Sequence, residues 1–267
     1  MKRLRIIVRG GGDLASGVAL RCFRAGWKVL VTELEKPLAV RRLVSFGQAI
    51  YDLVSFVEEV QGVRVESMDE VDRVIASGNL PVVIDPECTM RQFFHPDVIV
   101  DARMQKKDPL FPFDEVPLYI GLGPGFVAGK NCHAVIETVR GPFLGRVIWE
   151  GAAEADTGLP DPVNGMRETR VLRSPTDGIL TPIARIGDLV DQGDPIAEVN
   201  GQVVLSPFPG VLRGLVHEGV QVTRGMKIGD VDPRKDPRLC QLVSDKALAV
   251  GGGVLEAILM TFNHEEK

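Results

Sequence analysis

The chain has 267 residues, 45% of them hydrophobic and 25% charged, with a net charge of −5. That length accommodates two domains with proper cores, and the acidic balance gives no electrostatic footing for nucleic acid or an anionic membrane. Cys22, Cys88, Cys132 and Cys240 form no Cys-x-x-Cys pair, which argues against a structural zinc site or a disulfide framework.

A reducing, cytoplasmic setting is therefore expected. Met1-Lys2-Arg3 runs into a charged strand without a signal-peptide core. No apolar run approaches the roughly 20 residues of a membrane span.

In chain order, Arg5–Arg9 is a short apolar strand followed at once by Gly10-Gly11-Gly12. Leu14, Val18, Cys22 and Ala25 then share one face of a helix that Gly26 stops. Lys28–Glu33 is a second buried strand. Strand, glycine turn, helix and strand make a βαβ unit, and its short connections favour a parallel sheet. Further strands are predicted at Pro81–Asp85, Val98–Asp101, Leu118–Leu122 and Ala134–Val139, with a crossover helix at Met68–Ala76. Two of these strands end in aspartate, as strands do where a sheet edge meets a site.

The first turn satisfies G-x-G-x-x-A through Gly10, Gly12 and Ala15, and Glu33 closes the next strand. Glycines let a backbone approach phosphate, the helix N-terminus supplies N–H donors, and a strand-end acid takes a ribose hydroxyl. Arg9, Gly10, Gly11, Gly12, Asp13, Ala15 and Glu33 are therefore candidate cofactor-binding residues. Asp13 also reads as a helix N-cap, a position that favours Asp, and Glu33 as a solvated strand end. Arg41 and Arg42 are candidates to grip a phosphate, or a solvated helix face. Gly123 and Gly125 belong to a loop that forms an anion nest or a tight turn. No metal-ligand spacing appears, and the adjacent Cys132-His133 pair is no dyad by adjacency alone. No catalytic residue stands out.

A linker is predicted over Gly151–Gly165, rich in Gly, Pro, Ala and acids. Beyond it, Ser174–Val199 and Ser206–Val231 repeat at a constant offset of 32 without a gap. Each copy is a small β unit, and the two are expected to bury a shared core. The spacing resembles the biotinyl/lipoyl barrel-sandwich fold. The junction Asn200-Gly201-Gln202 is a tight hairpin without lysine, so neither biotin nor lipoate attachment is expected, and the module reads as a binding or docking unit. Gly251-Gly252-Gly253 interrupts a predicted helix over Asp245–Met260, which suggests close backbone packing.

Segments spread over nearly the whole chain resemble the YqeB family, named for selenium-dependent molybdenum hydroxylase systems. They are RGGGDLASGVALR at 9–21, VTELEKPLAVRRLVSF at 31–46, IGLGPGF at 120–126, HAVIETVRGPFLGRVI at 133–148, SPFPGVLRGLV at 206–216 and SDKALAVGGGVLEAIL at 244–259. The resemblance implies an accessory factor in molybdenum hydroxylase maturation, with a Rossmann-like half akin to XdhC-type cofactor-insertion factors and the hydroxylase apoenzyme as partner.

The expectation is thus an α/β chain. A Rossmann-like parallel-sheet domain spans 1–150, a β barrel-sandwich domain spans 166–235, and a C-terminal helix over 236–267 packs back on the first. The expected ligand is a nucleotide-bearing small molecule, a molybdopterin-type cofactor or its dinucleotide. An NAD(P)-dependent oxidoreductase and a non-catalytic docking protein are the alternatives. Whether a reaction is catalysed, and whether the chain self-associates into a homo-oligomer, stay open.

Overall fold

A computed structural model describes residues 3–155 and 170–263. Residues 156–165 of the expected linker, the first residues of the domain expected from 166, and His264 lie outside the described residues.

The N-terminal part is built on one sheet. Its strands are β1 (Arg5–Arg9), β2 (Lys28–Glu33), β3 (Val54–Val57), β4 (Val60–Val65), β5 (Leu80–Ile84), β6 (Val98–Asp101), β7 (Leu118–Leu122), β9 (Ala134–Ile136) and β10 (Val147–Ile148). β8 (Val127–Ala128) pairs instead with β11 (Gly151–Ala152). The sheet order is β10-β9-β7-β6-β1-β2-β5-β4-β3. β1 sits at the centre and is parallel to both β2 and β6. Its Ile6, Ile7 and Val8 are wholly buried, as expected of a strand covered on both faces.

Among the described residues, five α-helices accompany the strands: α1 (Asp13–Arg24), α2 (Ala49–Asp52), α3 (Met68–Ala76), α4 (Arg91–Phe94) and α5 (Asp245–Phe262). α1 and α5 lie together on one face of the sheet. Small residues permit their close approach: a Cβ on Gly17 would stand 2.7 Å from the Ala247 Cβ, and one on Gly251 would stand 3.0 Å from the Gly17 carbonyl. Gly253 abuts the Gly145 carbonyl in the same way. The glycine triplet therefore sits within a continuous helix and serves packing.

The C-terminal β module comprises β12 (Val171–Arg173), β13 (Gly178–Pro182), β14 (Leu189–Val190), β15 (Pro195–Val199), β16 (Gln202–Leu205), β17 (Gly210–Leu215), β18 (Gln221–Val222) and β19 (Lys227–Asp232). They form two four-stranded sheets, β12-β19-β17-β14 and β16-β15-β13-β18. The repeat copies interlock. Gly178 of the first copy pairs with Val222 of the second, and Val190 of the first pairs with Gly210 of the second. These are the same pairing seen from either copy, so neither copy encloses its core alone. Asn200 (φ 48°) and Gly201 (φ 79°) make the hairpin between β15 and β16, the two positive φ values of a type I′ turn.

The expected pairing of a Rossmann-like parallel sheet with a biotinyl/lipoyl barrel-sandwich needs correction. The sheet is mixed: antiparallel hairpins, β3/β4 and β9/β10, close its two edges. β5 inserts between β2 and β4, which departs from the doubly wound order. Part of the helical cover comes from the far end of the chain, through α5. The β module, for its part, is no appended carrier unit. The Leu215 N–H donates to the Val40 carbonyl at 2.8 Å, and Tyr51 stacks on His217 with centroids 3.9 Å apart. Val40 and Tyr51 join the module's hydrophobic core.

Candidate functional site

β1, β2 and β6 deliver their C-terminal ends to one crevice of about 460 Å³. It lies where the chain leaves the central strand in both directions, the position at which open α/β sheets receive ligands. Gly10, Gly12, Asp13 and Ala15 line it from the first turn, with Thr32 and Glu33 from β2. Leu34, Leu38, Ala39, Pro86 and Met104 supply apolar walls, and Arg103 a cation.

The turn is shaped by its glycines. Gly10 has φ +97°, and its N–H donates to the Thr32 carbonyl at 2.7 Å. Gly11 has no room for a side chain, because a Cβ would stand 2.6 Å from the Gly47 nitrogen. Gly12 is the N-cap of α1 and offers no side-chain cap. A Cβ there meets nothing within 4 Å. The first-turn N–H groups of α1 have no partner within the helix and open toward the crevice at the positive end of the helix dipole.

Asp13 is the first residue of α1 rather than its cap. Both its oxygens accept from Arg41 Nη1, at 3.0 and 3.1 Å. Its negative charge is thereby offset at the helix start, where a bare carboxylate would repel a phosphate. Arg41 is buried, and its Nη2 donates to the carbonyls of Leu239 and Leu242. Arg42 Nε donates to the Leu215 carbonyl at 2.7 Å. These two arginines brace the β module and the segment before α5, and neither lines the crevice: both Nη groups of Arg41 are engaged by the protein, and Arg42 lines a separate pocket with Gln48 and Asp52, so the phosphate-grip expectation for them at this site is corrected.

Glu33 Oε2 accepts from the Gly11 N–H at 2.6 Å and Oε1 from the Leu34 N–H at 2.7 Å. Burial pushes its carboxyl above the ordinary range, and the two N–H donors work against that shift. The carboxylate stands at the crevice and retains lone pairs for a ligand hydroxyl. Ala15 is buried at the floor.

Arg9 does not line the crevice. Its Nη1 donates to Asp101 Oδ2 (3.2 Å) and the Tyr119 hydroxyl (3.3 Å), and its Nη2 to the Pro86 carbonyl. Gly123 (φ +69°) and Gly125 (φ +102°) also stand outside it. A Cβ on Gly125 would lie 2.6 Å from the Lys107 nitrogen, and Gly123 packs on Thr138. They buttress the 103–107 segment behind one wall, which favours the tight-turn reading of this loop.

Sequence reasoning missed Arg103 and its carboxylate partner Asp101. The strand-end aspartate was the available signal, but which cation it holds depends on the fold. All four cysteines are buried, and burial pushes the Cys22 and Cys132 thiols up to about 12 and that of Cys88 to about 11. His133 Nδ1 accepts from the Tyr119 N–H at 2.9 Å, a structural contact. Among the described residues, no three His, Cys, Asp or Glu side chains are grouped to hold a metal ion, and no helix is long and apolar enough to cross a membrane.

No family model matches the chain. Among solved structures it is similar to an aspartoacylase family protein from Mesorhizobium loti (15% identity, 86% of this chain and 85% of that one, TM-score 0.29). It is also similar to a succinylglutamate desuccinylase/aspartoacylase from Rhodobacter sphaeroides (16%, 88% and 87%, TM-score 0.27). The ectoine utilization protein EutE (DoeB) from Ruegeria pomeroyi gives 12%, 85% of both chains and a TM-score of 0.25. None of these three carries the name of a dinucleotide-binding protein, a biotinyl or lipoyl carrier or a molybdenum-cofactor maturation factor, the classes expected from sequence. At such TM-scores the neighbours carry no argument about fold or activity.

The sequence comparison is stronger. The chain is 44% identical over 262 residues to the uncharacterized protein YqeB of Escherichia coli (strain K12), covering 98% of this chain. It spans about half (48%) of that relative's length. Over its own length, the chain is similar to YqeB.

Proposed function

We propose that the crevice at the first turn binds a nucleotide-bearing small molecule, with a phosphate on the N-terminus of α1 and a sugar hydroxyl on Glu33. The observation that carries this reading is the uncapped helix start at Gly12, opening with no side chain of its own into a 460 Å³ crevice beside the half-buried acid Glu33. Backbone N–H groups and the helix dipole favour an anion there. The Arg41 partner of Asp13 keeps the adjacent carboxylate from repelling it. Leu34, Leu38, Pro86 and Met104 offer apolar surface to a flat base.

The test is calorimetry with ADP on the wild type and on Gly12→Val. Gly12 has φ −76° and ψ −172°, extended backbone that valine adopts readily, and its Cβ would enter the crevice without an internal clash. The variant is expected to lose binding while its stability falls by no more than about 1 kcal/mol, the scale of an N-cap change. Retained ADP affinity in a folded Gly12→Val protein would show that the phosphate is not at this helix start.

A further inference from the structure

Arg103 is held in the crevice wall by a buried relay. Its Nε donates to Asp101 Oδ1 at 2.9 Å and its Nη2 to Asp101 Oδ2 at 2.6 Å, a fork-on-fork pair. Asp101 ends β6 with its side chain only 2% exposed. The same Oδ2 also accepts from the Tyr119 hydroxyl at 2.8 Å and from Arg9 Nη1. Phe111 closes the far side, with its ring 4.6 Å from the Arg9 guanidinium. Asp101 therefore cannot turn, and neither can the guanidinium that it grips.

Charge and valence are left over. Within hydrogen-bond reach, two guanidinium groups share one carboxylate. Asp85, just past the end of β5, is taken up by the Thr89 N–H and hydroxyl and the Met90 N–H. Arg9 Nε is buried without a hydrogen-bond partner. Arg103 Nη1 has no partner among the described residues, and Arg103 lines the crevice. Burial works against the charge on Arg103, but the Asp101 carboxylate outweighs it and keeps the guanidinium protonated. Glu87 adds an attraction to Arg103 without a hydrogen bond, so the open Nη1 edge in a partly desolvated wall is still costly unless an anion meets it.

We propose that Arg103 recognises a second, terminal phosphate of the crevice ligand, and that Asp101, Arg9 and Tyr119 are the positioning residues that aim it. The inference rests on the crevice being a ligand site, as proposed above. It narrows the ligand to one with two linked phosphates: the first on the α1 N-terminus, the next on Arg103. A bidentate guanidinium rather than an ammonium suits this role because Asp101 occupies one edge of the fork and leaves the other to the ligand.

The experiment is calorimetry with AMP and ADP on the wild type, Arg103→Gln, Arg103→Lys and Asp101→Asn, at low salt and near 0.5 M salt. The wild type is expected to bind ADP at least about tenfold more tightly than AMP. Arg103→Gln should weaken ADP by about 10- to 150-fold, the range of a charge-assisted contact, and leave AMP within about twofold. Arg103→Lys should recover part of the ADP preference, and Asp101→Asn should lose ADP selectively with Arg103 intact. These losses should persist at high salt, since a direct contact is screened little.

Equal losses for AMP and ADP, or none, would overturn the role of Arg103 while leaving the crevice reading standing. Failure of the wild type to bind either nucleotide would overturn both. Melting temperatures identify a variant that does not fold. If Arg103→Gln is one, the Arg103→Lys ratio of ADP to AMP affinity decides: an unchanged wild-type ratio overturns the proposal, and a reduced one supports it.

Discussion

At the residue scale, the three glycines of the first turn have three different jobs. Gly10 supplies a left-handed φ, Gly11 admits the backbone of Gly47, and Gly12 leaves open space. Gly11→Ala is therefore expected to be strongly destabilising, as a Cβ 2.6 Å from backbone has nowhere to go. Thermal melts of Gly11→Ala and Gly12→Val side by side check the contrast; similar losses in both would contradict it.

Two carboxyls at this scale should pull stability in opposite directions with pH. The folded-state pKa of Glu33 is raised by burial, so the folded chain holds that proton more tightly than the unfolded chain. Its contribution to stability therefore falls as pH rises through 4.5 to the raised value. Asp245 is lowered to about 2, chiefly by its hydrogen bonds with Arg140. Its contribution is present above the ordinary value of 3.8 and is lost as pH falls toward about 2. Urea midpoints from pH 2 to 7 should show a weaker fall above pH 4.5 for Glu33→Gln and a weaker acid loss for Asp245→Asn. Variant slopes identical to the wild type would contradict the assignment.

At the scale of elements, the α1–α5 contact depends on the absence of side chains. Gly17→Val would drive two methyl groups into Ala247. Overpacking of this kind costs about 1–3 kcal/mol, which a denaturant midpoint would register; an unchanged midpoint would show the helices are free to separate.

The segments β1, α1 and β2 were legible in sequence because periodicity, a glycine turn and a stop glycine all act locally. The repeat was legible because a constant offset survives without knowledge of the fold. The β3/β4 hairpin was not. Its turn is Glu58-Glu59, with Glu58 at φ 54° and no Gly or Asn to announce it. The insertion of β5 beside β2 was equally hidden, since strand neighbours are chosen by long-range packing. Arg41 and Arg42 looked like a phosphate grip because a charged pair carries no mark of its partner. Their partners, Asp13, Leu239, Leu242 and Leu215, lie 28 to 201 residues away.

At the scale of the whole molecule, the crevice and the β module are mechanically joined. Arg41 ties the start of α1 to the chain before α5, and Arg42 ties the same loop to β17. Arg41→Ala removes two carbonyl bonds and leaves Asp13 without its cation. A loss on the order of 2–3 kcal/mol is expected from such charge-assisted contacts, with ligand affinity reduced because an uncompensated Asp13 then faces the phosphate. Melting and ADP titration of Arg41→Ala and of Asp13→Asn/Arg41→Ala separate the two effects: the double variant should recover affinity. Equal affinity in the wild type and both variants would contradict the coupling.

The central claim is that an anionic ligand sits on the start of α1. Backbone amide NMR during an ADP titration tests it most directly. Saturable shifts are expected in the amides of Gly12, Asp13, Leu14 and Ala15, with the Asn200-Gly201 hairpin silent. Absence of any saturable shift, or shifts that spare the first turn of α1, would contradict it.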